Sequence, residues 1–288
     1  MKNWLLFFKE RLPLLVLLLM TIGFVGSSQS FEMGLHAKIP LVIGISIAFG
    51  FFMVMRVMDE VKDFEKDKLA HPERPLPRGL ITLRQAHIFI NGGLTTLMLE
   101  VLGLYFFGFG LASGLLLLTV VYLYLMFKEF YIGTWLERHL IIYLISHQFV
   151  LLLLSATVAA LSVPQASNVS ALLRPGILLL GAFFTYEIAR KLDPAAPPIL
   201  STYRVHYGIL KTGYLLGAGC LITTIGLFLN ANNLGVMAMI LSLGPLSLVI
   251  SYPFLIREKF KILESLAGLL LLVFLWAPFI ASLLIRIK

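Results

Sequence analysis

Three aspartates at four-residue steps are the residues of this chain whose type and spacing could do chemistry. They are Asp59, Asp63 and Asp67, and a Pro-rich basic turn of sequence Arg-Pro-Leu-Pro-Arg-Gly follows them at residues 74–79. In an α-helix a step of four residues falls about 40° beyond one full turn, so a helix here places all three carboxylates on one face. Like charges at this spacing repel, and each pair destabilises an isolated helix by roughly 0.2–0.5 kcal/mol. The row therefore predicts a positively charged partner.

The chemistry of the row suits magnesium. Carboxylate oxygens are hard ligands, and Mg²⁺ binds a few of them together with retained waters and substrate phosphate. The lack of His and Cys in the row argues against zinc or copper. The alternative is a solvated helix beside the membrane, in which Lys62, Lys66 and Lys68 neutralise the acids internally. The charge pattern alone leaves both interpretations open.

Arginines flank the acidic stretch on both sides. Arg56 precedes Asp59 by three residues, about one turn deeper toward an apolar run, where an unpaired cation is costly. Arg74 and Arg78 follow in the Pro-rich turn. Acids and arginines at one mouth can bind a metal diphosphate together, because carboxylates hold the metal while guanidinium groups contact phosphate oxygens directly.

The composition of the 288-residue chain is that of a polytopic membrane protein. Mean hydropathy is +0.93, and only 13% of the residues are charged, whereas a soluble domain carries about twice that fraction. The net charge of +8 does not indicate nucleic acid, because the cations are scattered through short loops between apolar runs. The single cysteine, Cys220, excludes an intrachain disulfide and a CxxC metal site.

Apolar runs of about 20 residues predict an all-α bundle of nine transmembrane helices in a single domain, residues 1–288. All Lys and Arg residues except Lys38, Arg174, Arg286 and Lys288 fall on one side, so the positive-inside rule places the N-terminus in the cytoplasm. We expect an integral protein of a prokaryotic plasma membrane with its active-site face toward the cytoplasm. The predicted spans lie near residues 12–27, 39–58, 85–107, 110–127, 140–162, 171–190, 209–230, 234–255 and 265–285.

Two features of the predicted spans leave alternatives. The first span resembles a signal peptide, but it continues into further spans, so a membrane helix is expected instead. The third and fourth spans are separated only by residues 107–110, and a count of eight follows if they form one broken helix. Inside the spans, ionisable residues are scarce, and Glu100 and His147 are the two of interest.

The acidic stretch and the turn after it resemble the first motif of the UbiA-type intramembrane aromatic prenyltransferases. That family has nine helices, a motif of the form N-x-x-x-D-x-x-x-D at the end of helix 2, and an R-P-L-x-x-G turn after it. Here Asp59 stands in place of the Asn, Asp63 and Asp67 match the two Asp positions, and residues 74–79 match the turn. The resemblance covers the span layout of essentially the whole chain and is most specific in this motif.

The second motif departs from the family pattern. The family has a second Asp cluster after helix 6, often preceded by Tyr, and this chain has Tyr186, Glu187, Arg190, Lys191 and Asp193 in that region. Arg190 stands where the leading Asp is expected, while Asp193 falls on a later acidic position. The resemblance implies either that Glu187 and Asp193 hold a second metal or that Arg190 and Lys191 contact phosphate in its place. Ordinary positive residues at a cytoplasmic helix end are a third interpretation.

Two further positions have competing interpretations. The family places Tyr and Lys near the end of helix 4, which makes Tyr124 and Lys128 candidates, with Lys128 as a point charge for diphosphate. Lys128 is equally an anchor in the aromatic belt at the membrane surface. His147, inside the fifth span, either lines the acceptor site or is a hydrogen-bonded packing residue.

The resemblance implies transfer of a prenyl group from an allylic polyprenyl diphosphate to an aromatic or other hydrophobic acceptor in the lipid, with Mg²⁺ as cofactor and no nucleic-acid partner. A transporter of lipid diphosphates or small molecules, and a family member with changed or lost chemistry, stay open as alternatives. The implied site residues are catalytic Asp63, Asp67, Lys128 and Arg190; cofactor-binding Arg56, Arg74, Arg78, Lys191 and Tyr186; and metal-binding Asp59, Asp63, Asp67, Glu187 and Asp193.

Overall fold

The structure is a computed structural model that describes residues 2–30, 38–163, 169–192, 202–230, 242–248, 252–257 and 259–287. Within these residues the regular structure is helical, with a 3₁₀ turn at Glu129–Tyr131 and a further helical stretch over residues 242–248. The helices used below are α1 (Lys2–Arg11), α2 (Leu14–Ser30), α3 (Lys38–Lys62), α4 (Phe64–Ala70), α5 (Leu83–Phe106), α6 (Gly110–Phe127), α7 (Gly133–Arg138), α8 (Leu140–Ala160), α9 (Val169–Arg190), α10 (Tyr203–Leu229), α11 (Tyr252–Ile256) and α12 (Phe260–Ile287).

Seven of the described helices are long and apolar enough to cross a membrane, namely α3, α5, α6, α8, α9, α10 and α12. The helix α2 is apolar but shorter, at 17 residues. The prediction of an all-helical membrane protein is confirmed. Each predicted span overlaps one of these eight helices, except the span near residues 234–255, half of which lies outside the described residues. The total of nine spans and the cytoplasmic N-terminus stay predictions.

A tight turn separates α5 from α6. Gly108 has a φ of +85°, in the left-handed region that glycine adopts at little cost. The amide of Phe109 donates a hydrogen bond to the carbonyl of Leu104 at 2.8 Å, which closes the turn. The Ser113 hydroxyl of α6 then donates to the carbonyl of Val101 in α5 at 2.8 Å. The third and fourth predicted spans are therefore two antiparallel helices and not one broken helix.

Small hydroxyl side chains link the helices across the buried core. The hydroxyls of Ser28 in α2 and Ser155 in α8 lie 2.9 Å apart, and those of Thr119 in α6 and Thr157 in α8 lie 3.0 Å apart. Lipid tails are as apolar as leucine, so membrane helices associate through close packing and interhelical hydrogen bonds of this kind. The helix α12 packs against both α2 and α9 and so joins the first part of the bundle to the last.

Glycines allow α9 and α10 to approach at backbone distance. A Cβ atom at Gly226 of α10 would lie 2.5 Å from the Cα atom of Leu178 in α9, and a Cβ atom at Gly181 of α9 would overlap the backbone of Thr223. Small residues at such crossings let membrane helices pack tightly. This crossing fixes the position of α9, whose last turn carries the second predicted motif.

Gly226→Val is expected to lower the thermal unfolding temperature of the detergent-purified protein, because overpacking of this kind costs about 1–3 kcal/mol. Gly217→Ala in the same helix is the matched control, since no atom lies within 4 Å of the Cβ position there. That control is expected to be neutral or to stabilise the protein by about 0.4–1 kcal/mol. Equal unfolding temperatures for wild type and Gly226→Val would contradict the close crossing.

The first helix, α1, is absent from the predicted spans, because its charged residues keep it below the hydropathy of a membrane run. Its Trp4 ring stacks on Phe89 of α5 with ring centroids 4.7 Å apart. The Asn3 side chain donates to the carbonyl of Leu80 at 2.9 Å. These contacts hold α1 over the turn that follows the acidic stretch.

Candidate functional site

The three aspartates lie on one face of an almost continuous helix. α3 ends one residue before Asp63, and α4 begins one residue after it. The amide of Asp63 donates to the carbonyl of Asp59 at 2.9 Å, and the amide of Asp67 donates to the carbonyl of Asp63 at 2.8 Å. These are bonds of the α-helical type, from each residue to the one four before it. The predicted alignment of the row is confirmed.

A lysine of the same helix matches the first aspartate. Lys62 Nζ lies 3.8 Å from Asp59 Oδ1, and its side chain is only 14% exposed. The same ammonium donates to the Tyr143 hydroxyl of α8 at 2.7 Å, and that hydroxyl donates to the Glu129 carboxylate at 3.2 Å. Internal neutralisation by lysine therefore holds for Asp59. The sequence signal for this contact is the three-residue spacing of Asp59 and Lys62, whereas Tyr143 and Glu129 were not foreseen.

An arginine of the Pro-rich turn matches the last aspartate. Arg74 Nη1 lies 2.6 Å from Asp67 Oδ1, and the Asp67 side chain is 3% exposed. The turn that carries Arg74 is closed by a hydrogen bond from the Arg78 amide to the Arg74 carbonyl at 3.0 Å, and it ends at Gly79, with a φ of +78°. The predicted site residues Asp67 and Arg74 are thus brought together as a buried ion pair.

Asp63 differs from both of its neighbours in the row. The side chain is half-buried, and within the described residues its carboxylate accepts no hydrogen bond and forms no ion pair. Burial raises the pKa of the Asp63 carboxyl, Lys62 acts against that rise, and the carboxylates of Asp59 and Asp67 add to it. A half-buried carboxylate between two others is destabilising without a positive partner. Of the row, this is the carboxylate that a ligand can match.

The other two arginines that flank the acidic stretch are paired with acids outside the row. Arg56 Nη2 lies 2.5 Å from Glu60 Oε1, an oxygen that also accepts a hydrogen bond from Arg11 Nε at 2.7 Å. Arg78 Nη2 lies 2.8 Å from Glu10 Oε1. These ion pairs fasten α1 over α3 and over the basic turn. The predicted contact of Arg56 and Arg78 with diphosphate stays a prediction.

The end of α9 carries the second motif as a compact charge cluster. The two Glu187 carboxylate oxygens are each 2.7 Å from a cation, Oε2 from Arg190 Nη2 and Oε1 from Lys191 Nζ. Tyr186 lies against Gly268 of α12. A Cβ atom added at Gly268 would lie 3.5 Å from the Tyr186 ring. The predicted metal ligand Asp193 lies outside the described residues. Glu187 is therefore held by two cations in this structure.

The two motifs meet at one end of the bundle. Asp59 of α3 is among the charges that act on Arg190 of α9. His147 of α8 interacts electrostatically with Lys62 near the first motif and with Lys191 and Glu187 of the second motif. Residues separated by more than one hundred positions in the chain thus share one electrostatic environment. This convergence makes the mouth between α3, α8 and α9 the candidate site.

His147 is held rigidly beside this mouth. Its ring stacks on Tyr143 at 4.0 Å between centroids and an interplanar angle of 6°, and Nδ1 lies 2.9 Å from the Tyr143 carbonyl. Nε2 is buried and lacks a hydrogen-bond partner among the described residues. A buried ring nitrogen with an open hydrogen-bonding position is a point at which a ligand can bind.

The segment after α6 forms a left-handed turn beside His147. Glu129, Phe130 and Tyr131 have φ values of +48°, +52° and +59°. This conformation costs a non-glycine residue roughly 1–2 kcal/mol, and such strain clusters at functional sites. The turn places the Glu129 carboxylate against Tyr143 and packs the Phe130 ring edge-on to His147.

Lys128 precedes this turn and is exposed. Its ammonium lies over the rings of Phe127 and Tyr124, 5.0 and 5.9 Å from their centroids. Across the described residues no ion pair joins it to the acids of either motif. These ring contacts are compatible with both interpretations of Lys128, so the membrane anchor and the role in diphosphate binding stay predictions.

Known proteins resemble this chain in structure. No protein-family model matches the chain, and no curated protein sequence matches it. A structure of digeranylgeranylglyceryl phosphate synthase matches with a TM-score of 0.62 at 19% identity, over 95% of this chain and 96% of that one. The apo UbiA homologue from Aeropyrum pernix K1 matches with a TM-score of 0.65 at 15% identity, over 94% and 98% of the two chains. The chain has the UbiA-type fold.

A third structure with the UbiA-type fold is that of a UbiA homologue from Archaeoglobus fulgidus bound to Cd²⁺. It matches with a TM-score of 0.58 at 13% identity, over 97% of this chain and 99% of that one. The fold implied by the acidic motif and the span layout is confirmed. At these identities the likeness establishes the fold, so the reaction has to be argued from the site itself.

The acids of the site are not gathered for a metal as they stand. Over the described ranges, no three His, Cys, Asp or Glu side chains form a group that could hold a metal ion. Asp67 is paired with Arg74, and Glu187 is paired with Arg190 and Lys191. Any metal bound here would begin from Asp63 and its neighbour Asp59.

Proposed function

We propose that this protein transfers a prenyl group from an allylic polyprenyl diphosphate to an aromatic or other lipid-soluble acceptor in a prokaryotic plasma membrane, at its cytoplasmic face. The observation that carries the proposal is Asp63. In the described part of the chain it is a half-buried carboxylate without a partner, between two carboxylates that the protein's own cations match. Asp63 would hold a divalent cation bound together with a diphosphate, and that cation would supply the missing positive charge.

Magnesium fits the donor set that this row presents. Asp59 and Asp63 offer carboxylate oxygens one helical turn apart, and Mg²⁺ typically takes one or two carboxylates and completes its shell with water and substrate phosphate. Asp59 would have to give up only its 3.8 Å contact with Lys62, whereas Asp67 and Glu187 would have to release ion pairs of 2.6 and 2.7 Å. The UbiA homologue bound to Cd²⁺ supports a divalent-cation site in this fold. When bound, the ion neutralises the charge of the departing diphosphate.

The second motif supplies cations to the diphosphate. Arg190 and Lys191 remain 47% and 41% exposed while they contact Glu187, so phosphate oxygens can reach both. In the proposed reaction the bond between the allylic carbon and the diphosphate oxygen breaks, and its electron pair leaves with the diphosphate. A new bond forms between the allylic carbon and an acceptor carbon, which then loses a proton. The two cations stabilise the negative charge that grows on the leaving group.

The experiment that tests this function incubates the purified protein with Mg²⁺, radiolabelled geranylgeranyl diphosphate and an extract of native membranes. A labelled lipid that forms only with Mg²⁺, with release of an equal amount of diphosphate, is the expected result. Folded protein that binds the diphosphate but labels no component of the extract would contradict prenyl transfer.

The acceptor side of the site is assigned to His147, and His147→Ala is expected to raise the KM for the acceptor by about tenfold. One hydrogen bond to a buried group is worth about 1–1.5 kcal/mol, which corresponds to that factor. The KM for the diphosphate is expected to stay the same. The measurement is steady-state transfer with either substrate varied, once the labelled product identifies the acceptor.

His139→Ala is the matched control for this prediction. His139 is exposed at the end of α7, and its ring stacks on Trp135 with 4.2 Å between the ring centroids. It precedes His147 by about two helical turns of sequence. Its replacement is expected to leave both KM values unchanged. An equal rise of the two KM values in His147→Ala would indicate a general disturbance of the site and would contradict the assignment.

A family member with changed chemistry is the second candidate, because Glu187 is occupied by Arg190 and Lys191 where a metal ligand is expected. In that case the two cations bind diphosphate without metal. Diphosphate binding that persists in EDTA, with no turnover on any acceptor of the extract, would favour this candidate over prenyl transfer.

A further inference from the structure

A lateral groove lies between α2, α3 and α5, away from the aspartate row. Its volume is about 820 Å³, within the range of roughly 300–1,000 Å³ found for small-molecule sites. Its lining is apolar and includes Leu18, Met53 and Phe89. Gly50 and Gly92 also line the groove, and no atom lies within 4 Å of their Cβ positions, so both leave open space there.

The groove and the proposed catalytic site use different stretches of α3. The residues of α3 that line the groove lie between positions 45 and 54, so at 1.5 Å per residue they end about 7.5 Å before Asp59 along the helix axis. The acids and cations of the two motifs are not among the side chains that line it. A ligand in this groove is therefore separate from the diphosphate site.

One acidic side chain lies in this apolar groove. Glu100 of α5 accepts a hydrogen bond at Oε1 from the Ser46 hydroxyl at 3.1 Å. Its Oε2 is buried and has no hydrogen-bond partner within the described residues. The side chains that line the groove include no Lys, Arg or His. The carboxyl thus has an open hydrogen-bonding position and no cation to match it.

This arrangement selects the chemistry of an occupant. A carboxyl oxygen without a partner is destabilising at membrane depth until a ligand completes its hydrogen bonding. A hydroxyl can donate and accept, so it matches the carboxyl in either protonation state. A phosphate-bearing head group is disfavoured, because the lining offers no positive side chain and Glu100 would repel it. From Glu100 to Phe89 the groove follows α5 for about 16 Å, at 1.5 Å per residue.

We infer that the groove binds a single-chain lipid alcohol. Its hydroxyl bonds to Glu100 beside Ser46, and its apolar chain lies along α5 toward Phe89 and Leu18. The fit rests on the open carboxyl oxygen, the length of the apolar wall and the lack of a cation in the lining. The inferred site does not depend on prenyl transfer, so a negative result for the lipid alcohol would leave the proposed reaction unaffected.

The test uses the purified full chain in lipid nanodiscs and a photoreactive hexadecanol with a mid-chain diazirine. Cross-links located by mass spectrometry are expected in the segments of α2, α3 and α5 that line the groove. Glu100→Ala is expected to weaken labelling by about tenfold, the effect of one hydrogen bond to a buried group. Glu100→Gln keeps a donor and an acceptor and is expected to retain most of the labelling.

Matched controls separate this site from ordinary contact with lipid. A hexadecane probe with the same diazirine lacks the hydroxyl and is expected to label wild type and Glu100→Ala equally and weakly. Gly92→Leu fills the groove and is expected to abolish specific labelling at an unchanged unfolding temperature, with Gly50→Leu as the second filling variant. Equal labelling by both probes, or by the alcohol in wild type and Glu100→Ala, would overturn the inference. A wild type that proves dimeric in nanodiscs, together with a monomeric Gly92→Leu, would overturn it in favour of a second copy as the occupant.

Discussion

Asp63→Asn is expected to lower the rate of prenyl transfer by about 100-fold or more. The amide is a weaker magnesium ligand than the carboxylate, and a bound divalent ion contributes several kcal/mol to the stabilisation of a developing charge. Each 1.36 kcal/mol corresponds to a factor of ten. The measurement is the initial rate of label transfer at saturating Mg²⁺ and diphosphate. Glu65→Gln is the matched control, because Glu65 lies two residues away with its side chain 79% exposed, and its rate is expected to equal that of wild type.

The same variant is expected to be at least as stable as wild type at neutral pH when metal is removed with EDTA. Burial and the neighbouring carboxylates raise the pKa of Asp63, so the folded protein holds this proton more firmly than the unfolded chain. Stability that depends on Asp63 is therefore lost as pH rises from the ordinary Asp value, about 3.9, through the raised pKa. Asn at this position removes that loss.

Thermal unfolding in EDTA across a pH series measures the effect. The advantage of Asp63→Asn is expected to shrink as the pH falls toward the ordinary Asp range, and Mg²⁺ with diphosphate is expected to reverse it by stabilising the wild type alone. A variant that is less stable than wild type in EDTA at neutral pH would show that Asp63 has a structural partner, and the metal role would fail with it.

Arg74→Met is expected to lower the free energy of unfolding by about 3–5 kcal/mol, because it leaves a buried carboxylate without its counter-charge. Asp67 is 3% exposed and Arg74 is 25% exposed, so water replaces little of the lost contact. The measurement is reversible unfolding of the purified protein in detergent, compared with wild type at the same pH.

The double variant Asp67→Leu/Arg74→Met supplies the control for this prediction. Replacing a buried ion pair by apolar residues of similar volume is often neutral or stabilising, so most of the lost stability is expected to return. The double variant is still expected to lose transfer, because the guanidinium group of Arg74 is no longer available to the site. Losses that simply add in the double variant would contradict a direct coupling between Asp67 and Arg74.

The positive partner that the acid row calls for is divided between the protein and its proposed ligand. Lys62 matches Asp59, and Arg74 matches Asp67, so the chain itself neutralises two of the three carboxylates. Neutralisation by the lysines of the same stretch and metal binding were open alternatives in the sequence. The structure contains the lysine contact at Asp59 alone, and Asp67 is matched by Arg74 of the basic turn instead. Metal binding is left to Asp63, where the proposal of a magnesium diphosphate now rests.

Several features of this protein follow from the sequence alone, because they depend on local periodicity and composition. In a membrane, the backbone N–H and C=O groups of a long apolar run find their hydrogen-bond partners within a helix, and this predicts the helical bundle. The four-residue spacing of Asp59, Asp63 and Asp67 places them on one face of any helix. Beyond periodicity, the acidic stretch and the basic turn resemble the first motif of the UbiA-type prenyltransferases, and the solved structures confirm the fold that this resemblance implies.

The contacts between charged or polar side chains far apart in the chain were decided only by the tertiary structure. The contacts of Lys62 with Tyr143, and the influence of Asp59 on Arg190, join residues far apart in the chain. Hydropathy and spacing carry no information about such contacts, because they arise where separate helix ends are packed into one mouth. The packing of the short polar helix α1 and the unpaired oxygen of Glu100 likewise depend on contacts between separate helices, so the sequence did not predict them. An ion pair or an orphaned polar atom is a property of the packed bundle and not of any one segment.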